Sequence, residues 1–315
     1  MAALQTISGG GSFTRQNISQ INSNFDALNT VDLWVRPQYG NNLGNGSTAP
    51  LGSYDNPLAT MAGCARYLKP GLVIGLLGVL LEEYVAPLGV NDVTIIGMAN
   101  LPRQATTSGV PNGGGATWLS PSGGTGALIT IRAQGWRLQN IYFNCSATAN
   151  PCVYILTDGA GDPPVDSDGA HLVIDNCILT GTDDGVHVSG GTNFVRIQNS
   201  TLFGFSGSGD VAISYETGAG IGTLLDWRIE NCKFFNNASN IVMPFSHATI
   251  KNNVIENGSA ANINLTGGTA PNFVQQNVFN IAAADFDPAG GTTGVTGDAW
   301  SNYLTDAVET GLPAN

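Results

Sequence analysis

Residues Arg196 to Phe203 read RIQNSTLF: an aliphatic residue, a polar residue and an asparagine, with a bulky apolar residue three positions after the asparagine. The pattern recurs. Leu138-Gln-Asn140 is followed by Phe143, Ile174-Asp-Asn176 by Leu179, Ile229-Glu-Asn231 by Phe234, Ile250-Lys-Asn252 by Ile255, and Val274-Gln-Gln276 by Phe279. The intervals between successive amides are 36, 23, 32, 21 and 24 residues. A basic period of 21 to 24 residues with two longer intervals is the signature of a solenoid that carries loops on some coils. Apolar–polar alternation up to the amide fits a strand whose aliphatic side chain points inward. Asparagine tolerates left-handed backbone angles, so it can turn a corner where a β-branched residue would be strained. Stacked coil on coil, Asn140, Asn176, Asn199, Asn231 and Asn252 are expected to form a column, their side chains bonded along a ladder.

Composition agrees with an all-β chain. Its 315 residues suffice for one large domain, and 42 glycines with only 11% charged residues favour short strands and frequent turns over helical bundles. Eleven Lys and Arg against 23 Asp and Glu give a net charge of −12 with no basic cluster, which excludes nucleic-acid binding through phosphate neutralisation. No segment reaches the roughly 20 apolar residues of a membrane span. The opening MAALQTISGGGSF lacks the basic start and apolar stretch of a signal peptide, so synthesis in a cytoplasm is expected.

The five cysteines, Cys64, Cys145, Cys152, Cys177 and Cys232, include no Cys-x-x-Cys pair and read as small buried hydrophobes. Cys145 and Cys152 are close enough in sequence to bridge under oxidising conditions. Cys177 and Cys232 share the position after the corner amide, two coils apart, which at about 4.8 Å per coil is too far to bond. No metal and no cofactor is expected.

At this point the chain resembles a family, the right-handed parallel β-helix proteins of pectate-lyase-like type, which include many bacteriophage spike and virion proteins. Further stretches carry the resemblance: Asn56 to Leu68, then Lys69-Pro-Gly71, an apolar run ending Glu82-Glu-Tyr84, and Val93-Thr-Ile-Ile-Gly97. In the family a short helix caps the open end of the solenoid and a Pro-Gly turn starts the first coil. The resemblance implies an all-β, single-stranded right-handed parallel β-helix over residues 35–280, preceded by an attachment or oligomerisation segment at 1–34 and followed by a tail at 281–315. The tail is expected to pack on the helix or on a neighbouring subunit. Capping has a physical reason, since an open end coil exposes unpaired backbone and apolar side chains. Gly109 to Gly126 reads as a long loop containing Trp118.

Before the solenoid, Ile18, Ile21, Phe25 and Leu28 are spaced three, four and three apart, the seam of a short amphipathic helix. Two heptads do not stand alone in water, so the seam must dock on its own β-helix, on copies of itself or on a larger assembly. TRQNISQINSNFDAL, Thr14 to Leu28, resembles the opening segments of phage virion proteins, where such a helix attaches the subunit to the particle.

One stretch raises the question of chemistry: GTDDGVHVSG, Gly181 to Gly190. As a turn, its aspartates would cap local amides and Gly185 would supply a positive φ. As a site, Asp183 and Asp184 would recruit acids about one coil away, with Asp168, Asp210 and Glu216 as candidates. A glycosidase needs two carboxylates roughly 5–10 Å apart, which adjacent coils can supply. Asp183-Asp184-Gly185, His187 and Arg196-Ile197-Gln198 faintly resemble the polygalacturonase motif set, but one coil carries nearly everything and no Gly-His-Gly is present. His187 lies in Val186-His-Val188, an alternating strand that turns it away from the valines. Trp118, Tyr154, Tyr215 and Trp227 are candidate sugar platforms. Arg196, Arg228, Lys233 and Lys251 are expected at differing registers that do not converge. Asp158, Asp162, Asp166 and Asp168 lie in one stretch without the fixed ligand spacing of a calcium loop.

The expected function is a structural virion protein of a tailed bacteriophage, made in the host cytoplasm. It would be a homotrimer that decorates or projects from head or tail, held to capsid or tail proteins by the N-terminal segment, with cell-surface polysaccharide as a further partner. The alternative is a polysaccharide-depolymerising or glycan-binding tailspike, a glycosidase or lyase.

Overall fold

The computed structural model describes residues 31–43, 48–98, 116–145, 150–156, 170–216, 224–256, 262–265 and 272–280, with short strands at 292–293, 299–300 and 303–304. Three long sheets run side by side, and every strand pair within them is parallel. The first has ten strands, from Leu33–Val35 through Val173–Asp175, Arg196–Gln198 and Arg228–Glu230 to Ala299–Trp300. The second has nine, from Val79–Leu81 through Tyr142–Cys145, Ile178–Gly181 and Thr201–Phe203 to Tyr303–Leu304. The third has eight, from Tyr84–Val85 through Val153–Leu156, Val186–Ser189 and Val211–Tyr215 to Thr292–Thr293. From Val73 onward the chain visits them in turn, so each full coil contributes one rung to each sheet, and the fold is a parallel β-helix. Stacking continues past residue 280: Ala299 pairs with Val274 and Tyr303 with Val278.

The repeat motif is visible as two inward columns. Leu138, Ile174, Ile197, Ile229, Ile250 and Val274 align on the first sheet and are fully buried. Phe143, Leu179, Leu202, Phe234, Ile255 and Phe279 do the same on the second. Between the columns, Asn140, Asn176, Asn199, Asn231 and Asn252 all have φ between 50° and 57°, and Gln276 has φ 55°. One residue in the left-handed region therefore turns the chain from the first sheet to the second on six coils. The amide side chains form less of a ladder than their alignment invites. Asn176 donates to Asn140 at 3.2 Å, whereas Asn199 donates to the Asp175 carboxylate at 2.8 Å.

The stronger ladder lies one residue further on and points inward. Cys177, Ser200, Cys232, Asn253 and Asn277 occupy this buried position. The Cys177 amide donates to Ser200 Oγ at 3.0 Å, and the Cys232 amide to Asn253 Oδ1 at 2.8 Å. Asn253 in turn donates through Nδ2 to Asn277 Oδ1 at 2.9 Å. Buried polar groups persist only when bonded, and this column ties the coil of Cys177 to that of Ser200 and the coils of Cys232, Asn253 and Asn277 to one another. All five cysteines are buried and free.

A second left-handed column stands two residues before the first-sheet strands: Asp92, His171, Phe194, Asp226 and His247, with glycines at 71 and 135. At the open end, the helix Met61–Cys64 buries Met61 and Cys64 in the core. Thr60 caps it by accepting from the Gly63 amide at 3.0 Å. The Glu82 carboxylate takes the Met61 and Ala62 amides at 2.7 and 2.9 Å, tying the cap to the first coil. Burial nonetheless pushes the Glu82 carboxyl above its ordinary range, with those amides acting in the opposite sense.

Candidate functional site

Strand alternation decides what the third sheet offers to solvent. Val153, Ile155, Val186, Val188 and Ile213 point inward and are buried. Between them Tyr154, His187 and Ser214 stand in register on the outer face of three successive coils. The Tyr154 ring lies 5.4 Å from the His187 ring. His187 is therefore packed laterally in the sheet, facing away from its flanking valines.

The connection 182–185 brings carboxylates to this row. Asp184 Oδ1 accepts from the Val211 amide at 2.7 Å. Asp184 Oδ2 accepts from the Ser214 hydroxyl and lies 2.9 Å from His187 Nδ1. That same ring nitrogen is 2.8 Å from Ser214 Oγ. One proton assignment satisfies all these contacts: Nδ1–H is shared between Oδ2 and Oγ, and the serine proton goes to Oδ2. Nε2 then remains an acceptor, and it makes no hydrogen bond among the described residues. This is not the arrangement of a nucleophilic serine, which would bond the ring nitrogen opposite the acid. Ser214 is also only 5% exposed. Its work is to hold the acid and the imidazole together.

Asp183 lies beside this network. Burial is the main cause that pushes its carboxyl above the ordinary 3.8; the neighbouring Asp184 and Asp210 push the same way, while His187 and the Asp184 amide oppose them. Asp210 itself accepts the Gly207 amide at 2.7 Å, closing its own turn. The structure thus brings together Asp183, Asp184, His187, Asp210 and Ser214. Glu216 is exposed at the end of its strand, and its side chain makes no bond to the cluster among the described residues. Asp168 lies outside the described residues, as do Asp158 to Asp166 and the N-terminal seam of Ile18, Ile21, Phe25 and Leu28.

Several expectations are corrected by the packing. Gly185 does not supply a positive φ. It is needed for space, because a Cβ there would sit 2.5 Å from the Ala212 carbonyl oxygen and 2.9 Å from the Phe205 ring. Asp184 does not cap a local amide, since its partners Val211 and Ser214 belong to the next coil. Trp118 and Trp227 are fully buried, with their indole N–H groups bonded to the Glu82 and Thr192 carbonyls, so neither can be a sugar platform. Tyr215 pairs with inward-facing Val188 and packs against the core. Of the four aromatics proposed as platforms, Tyr154 alone shares the outer face of His187. Arg196 and Arg228 do share a register, but on the first sheet. Lys233 and Lys251 are paired with Glu256 and Glu230 at 3.2 and 3.3 Å.

Ser214 was not singled out from the sequence. Its signal is the alternation of Val211 to Tyr215, legible only once the coil register with Val186-His-Val188 is known.

No protein-family model matches the chain, and no curated protein does. Among solved structures the chain is similar to a rhamnogalacturonan lyase, at 12% identity and TM-score 0.38 over 87% of this chain and 86% of that one. It is also similar to a DFA-IIIase from Arthrobacter chlorophenolicus A6, at 12% identity and TM-score 0.37 over 84% of this chain and 62% of that one. Likeness this distant says nothing about the chemistry of the cluster.

Proposed function

We propose that the chain is a projecting β-helix of a bacteriophage particle that engages cell-surface polysaccharide through the third-sheet cluster and cleaves it by acid–base chemistry. The observation that supports this reading best is Asp184. Both its oxygens are fixed by the next coil, and it orients an imidazole on the outer face. A simple turn requires no such device. In this reading Asp183, with its raised carboxyl, protonates the glycosidic oxygen. His187 Nε2 takes a proton from the attacking water, and Tyr154 supports a sugar ring. The phage setting rests on the sequence resemblance of residues 14–28 and of the solenoid.

The test is incubation of the purified full chain with a panel of bacterial capsular polysaccharides, followed by measurement of new reducing ends. Asp184→Asn and His187→Gln are each expected to lower the rate by about 10²-fold or more. Binding without new ends would reduce the function to glycan attachment. Neither binding nor cleavage would leave a purely structural decoration, the second reading. For the particle setting, deletion of residues 1–30 should abolish incorporation into virions, and the mass in solution should be that of a trimer.

A further inference from the structure

Directly beneath the acid cluster lies a pair of thiols that the proposed chemistry does not use. Cys145 ends a second-sheet strand and Cys152 precedes the third-sheet strand Val153–Leu156, with Sγ atoms 2.9 Å apart and both side chains buried. Both sulfurs also lie against the Thr180 carbonyl, at 3.6 and 3.3 Å. Gly181 is the residue that makes room, since a Cβ there would collide with Cys145 Sγ. The pair is joined to the site through the backbone. The Cys152 amide donates to the Asp184 carbonyl at 3.0 Å, and the Val153 amide to that of Gly185 at 3.0 Å. Closing the sulfurs to the roughly 2.05 Å of a disulfide needs an approach of less than about 1 Å. Cys177, Cys232 and Cys64 have no such neighbour; their thiol contacts, where described, are to carbonyls.

We propose that Cys145 and Cys152 are an oxidation site: they close into a disulfide that staples the corner beneath Asp183 and Asp184 once the chain meets a disulfide oxidant such as oxidised glutathione. The chemistry balances. One thiol exchanges with the oxidant to give a mixed disulfide and one reduced glutathione; the second thiol attacks the protein sulfur of that intermediate and releases another glutathione. Two protein S–H bonds become one S–S bond, and the oxidant is reduced to two thiols. Burial holds the Cys152 thiol well above its ordinary range, with the adjacent Cys145 adding to the shift, so closure in the finished fold is slow. The staple forms most readily while the corner is still open.

The experiment follows from that. The full chain is produced in cells with a reducing cytoplasm and, in parallel, in cells whose cytoplasm has been made oxidising. Each sample is unfolded in an alkylating agent and mapped by peptide mass. Five alkylated cysteines are expected from the first and three from the second, with the 145–152 link found directly. The stapled form should melt about 5 °C higher, as a small loop closed by a disulfide allows in a chain of this size. Cys152→Ala should abolish the difference in melting temperature between the two preparations; if that variant does not fold, the peptide map alone decides. Five free thiols in the oxidised sample, or a link involving any other cysteine, overturns the proposal. The outcome does not depend on whether the chain acts on polysaccharide.

Discussion

Two corners of the same coil follow opposite rules. The turn from first to second sheet takes one left-handed residue, an amide on six coils, at φ 50–57°. The turn from second to third sheet has no fixed length. It takes seven residues after Cys145, four after Gly181, seven after Phe203 and three after Phe235. The first corner sets the register of the stack, and any added residue there would slip both inward columns toward solvent. The second corner is free to vary, and it is there that Asp183, Asp184, Asp210 and the Cys145–Cys152 pair collect. Titratable side chains accumulate where the register does not depend on length.

The contrast can be broken most forcefully through the core that both corners serve. Phe234→Ala removes a fully buried ring from the second-sheet column and should cost about 3–5 kcal/mol, read as a drop in the denaturation midpoint. A loss under about 1 kcal/mol would mean that the column is not the common support of the coils.

Swapping residue types at the two corners sharpens the comparison. Gly185→Ala should cost about 1–3 kcal/mol because the added methyl meets the Ala212 carbonyl and the Phe205 ring, although the backbone there is ordinary. Asn199→Val should cost about 1–2 kcal/mol for the opposite reason: space is available at this exposed corner, but a β-branched residue resists φ 53°. Asn199→Gly should then be nearly neutral, within a few tenths of a kcal/mol. Equal losses for valine and glycine at residue 199 would show that the amide side chain, not the backbone angle, matters there.

These rules also explain what the sequence revealed. The first corner repeats a residue type at a fixed place between two apolar positions, so Asn140 to Asn252 and both inward columns can be found by eye. The other left-handed column uses Asp92, His171, Phe194, Asp226 and His247, with glycines between. A conformation shared by such different side chains leaves no pattern. The site was half legible for a related reason. Asp183 and Asp184 are adjacent, and Val186-His-Val188 shows which way His187 faces. Ser214 lies 27 residues from His187 and meets it only through the register of two third-sheet strands. The burial of Trp118 is hidden in the sequence because a tryptophan in a glycine-rich stretch reads as a loop residue unless its strand partner, here Phe143, is known.

The smallest predicted effect is a pH dependence confined to the second corner. Burial and two neighbouring carboxylates raise Asp183 above 3.8 in the folded chain. A raised carboxyl binds its proton more tightly folded than unfolded, so its contribution is most favourable below 3.8 and is lost as pH rises through that value to the raised one. Asp183→Asn carries no charge to crowd Asp184 and Asp210. Its stability relative to the parent chain should therefore increase across that window and level off above it, leaving the variant modestly more stable once Asp183 of the parent is ionised. Denaturation midpoints of both chains at a series of pH values measure the difference. A flat difference would mean that solvent screens the three acids from one another. If the variant is also inactive on polysaccharide, gaining stability where it loses function, the strain at this corner is the cost of holding an acid in place for chemistry, and the neutral amides of the first corner should show no such trade-off.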